Sequence, residues 1–371
     1  MPRQTLLSGT SFIGTFVLVF VALAALFAVD TFLVRIERAE DQAEATRLVA
    51  EGRAMMQGQR YAEAAERFKD AISIDRNNRD YWLALADALL AAKNFMEAES
   101  ALDELLQRDS TDGDANLAMA RVLVGESKIA EGISFYHRAI YGRWTTNAAQ
   151  NRLKARFELV DLLARQNAKA ELLAELLPLQ DEASFDLQTR TRIGELFLAA
   201  GSPARAADVF RDIVHRDSRN ADAYAGLGQA EFASGDYQQA EADFLDASRL
   251  KPDDADIRKR LELCEQILSL DPTRRGLASN ERYERSLKLV SLALDQIKPC
   301  LLTPPPGPAQ ELVDAANKTL KARVAELRQN AATDSNLDLA EQLWKARGKD
   351  CGSSTPASDD PLSLVLAKIA R

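Results

Sequence analysis

The sequence predicts an all-α chain: a solenoid of helix–turn–helix units, preceded by one transmembrane helix and followed by a small helical C-terminal region. Three observations predict it. The 371 residues are 46% hydrophobic but only 6% aromatic, and an alanine-rich, aromatic-poor composition suits close helix packing better than a β-sandwich. An apolar run without charge or proline extends from Phe12 to Val29. From Ala45 to Pro272, small and apolar residues recur with a period of about 34 residues, the length of a two-helix repeat.

Residues 1–10 form a short tip, and residues 11–34 a membrane-spanning signal-anchor. A helical run of about 18 residues rises about 27 Å, close to the thickness of a hydrocarbon core. A cleaved signal peptide is the rival, because Ala22, Ala24, Ala25 and Ala28 offer small residues for a cleavage site. The run is long for that role, so an uncleaved anchor is expected, with the lipid bilayer as its partner. Residues 35–44 continue as a charged juxtamembrane helix. Counting arginines alone (Arg3 before the run; Arg35, Arg38 and Arg47 after it) would put the C-terminal side in the cytoplasm.

The repeat is clearest at residues 221–254. Tyr224, Leu227, Gly228, Tyr237, Ala240, Phe244, Ala247 and Pro252 fall at fixed places in it. Gly228 and Ala240 are small where two helices cross, Tyr224, Leu227 and Phe244 fill the space between, and Pro252 stops the second helix. The same ruler places Gly52, Ala64, Phe68 and Ala71 in residues 45–78, and Ala86, Ala98, Leu102 and Leu105 in residues 79–112. It places Ala120, Gly132, Tyr136 and Ala139 in residues 113–146, and Gly194, Ala206, Phe210 and Ile213 in residues 187–220. Residues 147–186 read as a longer, degenerate unit, and residues 255–272 as a capping helix, giving about six repeats plus a cap over residues 45–272. These residues resemble the tetratricopeptide repeat (TPR) family, whose units cannot bury their apolar faces alone and stack into a continuous core.

That resemblance implies a superhelix whose first helices line a concave groove for a protein or peptide segment. Carried onto this sequence, the groove positions are Thr46, Val49, Arg53 and Met56, then Asp80, Leu83, Asp87 and Leu90, then Asp114, Leu117, Arg121 and Val124. Further along they are Gln188, Thr191, Glu195 and Leu198, then Asp222, Ala225, Gln229 and Phe232. The family's Lys/Arg/Asn clamp for a C-terminal carboxylate is not reproduced, because only Arg53 and Arg121 are basic in the first three units, with Asp87 between them. A mixed groove is expected, with Arg53, Leu83, Asp87, Leu90, Leu117, Arg121, Val124 and Phe232 as its contact residues. Replacing Arg53, Leu83, Leu117 and Arg121 together by alanine is expected to abolish capture of the partner and leave helicity intact.

Residues 273–371 read as a helical extension interrupted by the proline-rich stretch after Cys300 and by a linker after Cys351. If this region lies outside the cytoplasm, Cys300 and Cys351 are expected to form a disulfide, while Cys264 reads as a buried small hydrophobe. The cysteines thus point to an extracytoplasmic, periplasmic solenoid, against the arginine count.

Several function classes are disfavoured. The formal net charge of −9 gives no basic footprint for nucleic acid. Two histidines and three cysteines show no zinc-site spacing, so no metal and no cofactor are expected. No acid, base and nucleophile converge in the C-terminal helices, so an enzyme is not expected. The expected function is a membrane-anchored protein–protein interaction scaffold in envelope assembly or export. The alternative is a cytoplasm-facing tethered adaptor.

Overall fold

The computed structural model describes residues 9–183, 186–301, 308–322, 324–325, 328–350 and 360–370, and these are helical with no strand. The first seven helices are α1 (Gly9–Gln57), α2 (Tyr61–Ile74), α3 (Arg79–Ala91), α4 (Phe95–Arg108), α5 (Gly113–Gly125), α6 (Ile129–Tyr141) and α7 (Ala148–Arg165). Next come α8 (Lys169–Glu182), α9 (Leu187–Ala199), α10 (Pro203–Arg216), α11 (Ala221–Ser234), α12 (Tyr237–Leu250) and α13 (Ala255–Leu270). The C-terminal helices are α14 (Ser279–Ile297), α15 (Pro308–Lys321), α16 (Gln329–Asp350) and α17 (Pro361–Ile369). Two compact units result, Met1–Asp161 and Leu162–Arg371.

In the first unit the apolar run, the charged stretch after it and the opening helix of the first repeat are one uninterrupted helix of 49 residues, α1. No glycine or proline occurs between Gly14 and Gly52 to break it. Its apolar portion is exposed: Phe16, Phe20, Phe27 and Phe32 are all more than 60% accessible. It is long and apolar enough to cross a membrane. Burial begins at Ala45, Leu48 and Val49, where α1 packs on α2.

The predicted packing positions are buried in both units, except Tyr224, which is half-buried. Phe68, Leu102, Tyr136, Phe210 and Phe244 are each at most 5% exposed. The small residues opposite them explain why. A Cβ on Gly194 would lie 2.6 Å from the Phe210 ring, and one on Gly52 would lie 2.7 Å from the Phe68 ring. Each ring therefore fills the space that its glycine leaves.

Two further rows of residues repeat with the helices. Asn78, Asp112, Asp186, Asn220 and Asp254 are the N-caps of α3, α5, α9, α11 and α13, and each side chain accepts a backbone N–H from the first turn. The turn within each helix pair passes through a left-handed residue: Gln59, Lys93, Ser127, Asn167, Gly201 and Gly235. Only two of these six are glycine, so the others carry a Cβ in a region that disfavours one. Lys93→Gly, at φ 59°, is expected to raise stability by about 0.5–1 kcal/mol, the relieved strain exceeding the entropy lost. Denaturant titration checks this, and a destabilised variant would contradict it.

In the second unit α14 and α16 pair, and α15 and α17 complete a helical core with Leu289, Val290, Ala293, Leu294, Leu343, Val365 and Leu366. The buried Asn336 amide donates to Ser286 Oγ at 2.9 Å. The terminal helix α17 seats against α13, α14 and α16. Its Lys368 donates to Asp271 Oδ2 at 2.9 Å. Burial alone would raise the Asp271 carboxyl, but hydrogen bonds from Thr273 and Lys368 hold it below the ordinary range. Cys264 is fully buried, and burial pushes its thiol up to about 12, so it is inert at neutral pH. The Cys300 side chain and Cys351 lie outside the described residues, as does any bond between them.

Candidate functional site

In the first unit the groove positions lie on α1, α3 and α5. Arg53 and Asp87 are exposed, while Leu83, Leu90, Val124 and Met56 are half-buried. Val49 and Leu117 are 5% exposed. Leu83 and Leu90 lean on the core beneath them, so this face is filled by its own side chains. Arg121 is already engaged: its guanidinium holds the Glu158 carboxylate in a two-point pair at 2.9 and 2.7 Å, and the Tyr136 hydroxyl donates to the same carboxylate at 3.3 Å. Asp87 lies within electrostatic reach of Arg121. Desolvation raises its carboxyl, and the charges of Arg121 and Lys154 pull it back. The expected contact patch therefore mixes exposed groups with Leu117, which is buried, and Arg121, which is paired. Alanine at all four positions would remove packing and an ion pair as well as surface.

The second unit differs at the same repeat positions. Where Val49, Leu83 and Leu117 fill the first unit's face, Thr191 and Ala225 stand here, with Gly226 beside Ala225. The result is a cavity of about 920 Å³ across α9, α11 and the start of α13. Gln188, Thr191, Glu195, Leu198, Asp222, Ala225 and Gln229 all line it, so seven of the eight positions implied by the family resemblance in these two units surround one space. Its floor is Phe210, wedged so tightly that a Cβ on Gly226 would lie 2.4 Å from the ring. Phe232 stands at an adjoining space of about 240 Å³ with Asp256, Lys259, Arg260 and Leu263. The Phe232 ring is fixed edge-on against Tyr237, with centroids 5.1 Å apart.

The lining is mixed in charge. Glu195, Asp222, Asp254 and Asp256 are acidic and Arg192 and Arg260 basic. Lys251 meets Asp222 at 2.5 Å, and Asp254 is occupied in capping α13. The amides of Gln188 and Gln229 add donors and acceptors suited to a peptide backbone, while Asn220 is occupied in capping α11. Among the described residues no group of three or more His, Cys, Asp or Glu could hold a metal ion.

One buried group outside the cavity lining titrates in an unusual range. Asp243 on α12 is 5% exposed, and its Oδ2 has no hydrogen-bond partner. Burial pushes its carboxyl up to about 6; Gln239 opposes this, Glu231 and Asp246 add to it, and Arg211 opposes it. The folded state thus binds this proton more tightly than the unfolded chain. Stability should fall as pH rises from about 4 to about 6 and stay lowered above that. Asp243→Asn is expected to flatten that window and to gain about 1–3 kcal/mol at pH 7. Calorimetry at pH 4.5 and pH 7 checks the sign, and equal losses at both values would contradict it.

Tetratricopeptide repeat models match residues 55–122, in the first unit, and residues 191–255, in the second. A peroxisomal targeting signal receptor from Candida albicans is 28% identical over 247 residues, 66% of this chain and 34% of that one. The chain thus spans about a third of the length of this curated relative. Among solved structures, the TPR protein YrrB aligns at 19% identity over 54% of this chain and 99% of its own, with a TM-score of 0.42. A TPR protein from Cytophaga hutchinsonii aligns at 11% identity over 82% and 98%, with a TM-score of 0.44. PilF of Pseudomonas aeruginosa aligns at 14% over 59% and 97%, with a TM-score of 0.41. The repeat positions, the stacked helix pairs and the two matched segments agree: this chain carries tetratricopeptide repeats in both of its compact units, on an all-α scaffold of the protein-interaction type.

Proposed function

We propose that the protein is a membrane-anchored interaction scaffold that holds an extended segment of a partner protein in the concave face formed by α9, α11 and α13. The observation that carries this reading is the cavity over Ala225 and Gly226. It is the size of a ligand site, open, lined by amides and mixed charges, and built where the repeat presents its concave face. The exposed apolar portion of α1 supplies the anchor, which would confine the scaffold to a bilayer surface. We place the solenoid on the extracytoplasmic side, in envelope assembly or export, on the strength of the Cys300 and Cys351 pairing expected there. The arginines Arg35, Arg38 and Arg47 favour the opposite reading, a cytoplasm-facing adaptor.

Two measurements on the protein in membranes of its native host test this. Resistance to alkaline extraction supports the anchor, and release into the soluble fraction contradicts it. Thiol labelling of the denatured, unreduced protein then decides the side. One reactive thiol, with Cys300 and Cys351 linked, supports the extracytoplasmic reading. Three reactive thiols support the adaptor.

A further inference from the structure

The terminal helix α17 is nine residues long. A helix that short does not sustain itself in water, so its fold is conditional on the cleft that receives it. The fit is specific. Leu362, Val365 and Leu366 are at most 3% exposed, on the i, i+3, i+4 face of an amphipathic helix. They enter a cleft walled by α13, α14 and α16. From α16, the Trp344 indole N–H donates to Ser363 Oγ at 3.2 Å. Asp360 caps the helix through Ser363 N at 3.1 Å.

At the far end, Lys368 lies 5.8 Å from the centre of the Tyr237 ring and donates to Asp271. Asp271 is fully buried. Its other oxygen, Oδ1, accepts from Thr273 N and Oγ1 at 2.8 and 2.7 Å, which leaves Oδ2 facing the place where the helix brings its cation. The cleft therefore presents an apolar trough with a buried carboxylate at one end. It fits an amphipathic helix with three apolar anchors and a cation two residues after the last of them. Residues 351–359, of sequence CGSSTPASD, join α16 to α17, and a connection of this length reaches at most about 30 Å.

We propose that this cleft is a helix-docking site with an exchangeable occupant, and that α17 of a second copy fills it as the chain's own α17 does. Two copies would then join by trading their terminal helices. A second copy is the occupant that the observations favour, because it brings each complementary group already seen in place: Leu362, Val365, Leu366, Ser363 and Lys368. The exchange is symmetric, so the resulting dimer closes on itself. The inference stands independently of what the concave groove holds.

The full chain in detergent micelles tests it, with a specific protease site inserted within residues 351–359 so that α17 folds in place before it is severed. The severed helix should remain bound and then exchange with a labelled synthetic peptide of residues 359–371, raising its anisotropy. The same peptide with Lys368→Glu should bind at least about tenfold more weakly. Uncut chains carrying two different dyes should form mixed dimers after brief warming, and Leu362→Asp with Leu366→Asp should abolish them. A severed helix that neither exchanges nor yields to the peptide would overturn the exchangeable site. Peptide exchange without mixed dimers, or mixed dimers that persist in the double variant, would overturn the second copy as occupant.

Discussion

Phe210→Ala is expected to be the most damaging single substitution in the repeats, lowering stability by about 3–5 kcal/mol. The ring is 1% exposed and is held from two sides, by Gly194 of its own repeat and by Gly226 of the next. Both glycines lack the atoms that could collapse into the space, so the void would persist and add its own cost. Phe210→Leu keeps most of the volume and should cost about 1–2 kcal/mol. Chemical denaturation of the full chain measures both. A loss below about 1 kcal/mol for the alanine variant would mean that the ring does not hold these repeats together.

The second large effect is on binding. Ala225→Leu places at the cavity the residue type that stands at the same repeat position in Leu83 and Leu117. Ala225 is half-buried and lines the open space, so the added side chain projects into the groove rather than into the core. Partner capture should fall at least about tenfold, while the melting temperature moves by no more than a few degrees. Gly226→Ala is the contrasting substitution, because its Cβ meets the Phe210 ring and the fold suffers with the binding.

The repeat core was legible because side-chain size is written directly in the sequence. A glycine or alanine opposite an aromatic at fixed spacing marks a close helix crossing, and Gly52, Gly194 and Gly228 each face the ring expected of them. The caps Asn78, Asp112, Asp186, Asn220 and Asp254 each end a repeat unit as an Asn or Asp, but apolar periodicity draws attention away from that row and only the structure shows it. Three features were not legible. The backbone continuity of α1 depends on the absence of a breaker, and a composition change at Arg35 imitates a boundary. The Arg121–Glu158 pair joins a repeat to α7, a helix of 18 residues whose spacing departs from the ruler.

The third feature is the cavity, which is made by side chains that are missing. The candidate contact residues lie mostly in the first unit, where leucines and arginines stand out in the sequence. There, large residues fill the concave face. Thr191, Ala225 and Gly226 are inconspicuous in sequence, and they leave the open space.

Whether the groove over Ala225 holds a partner is read from a photoreactive residue at Gln229, in the full chain in its native membrane, compared with the same residue at exposed Leu245 on α12. One dominant protein adduct is expected from position 229, lost when Ala225→Leu is added, and no such adduct from position 245. Equal labelling from both positions, or an adduct at 229 that Ala225→Leu leaves untouched, would show that the groove over Ala225 is not where a partner is held.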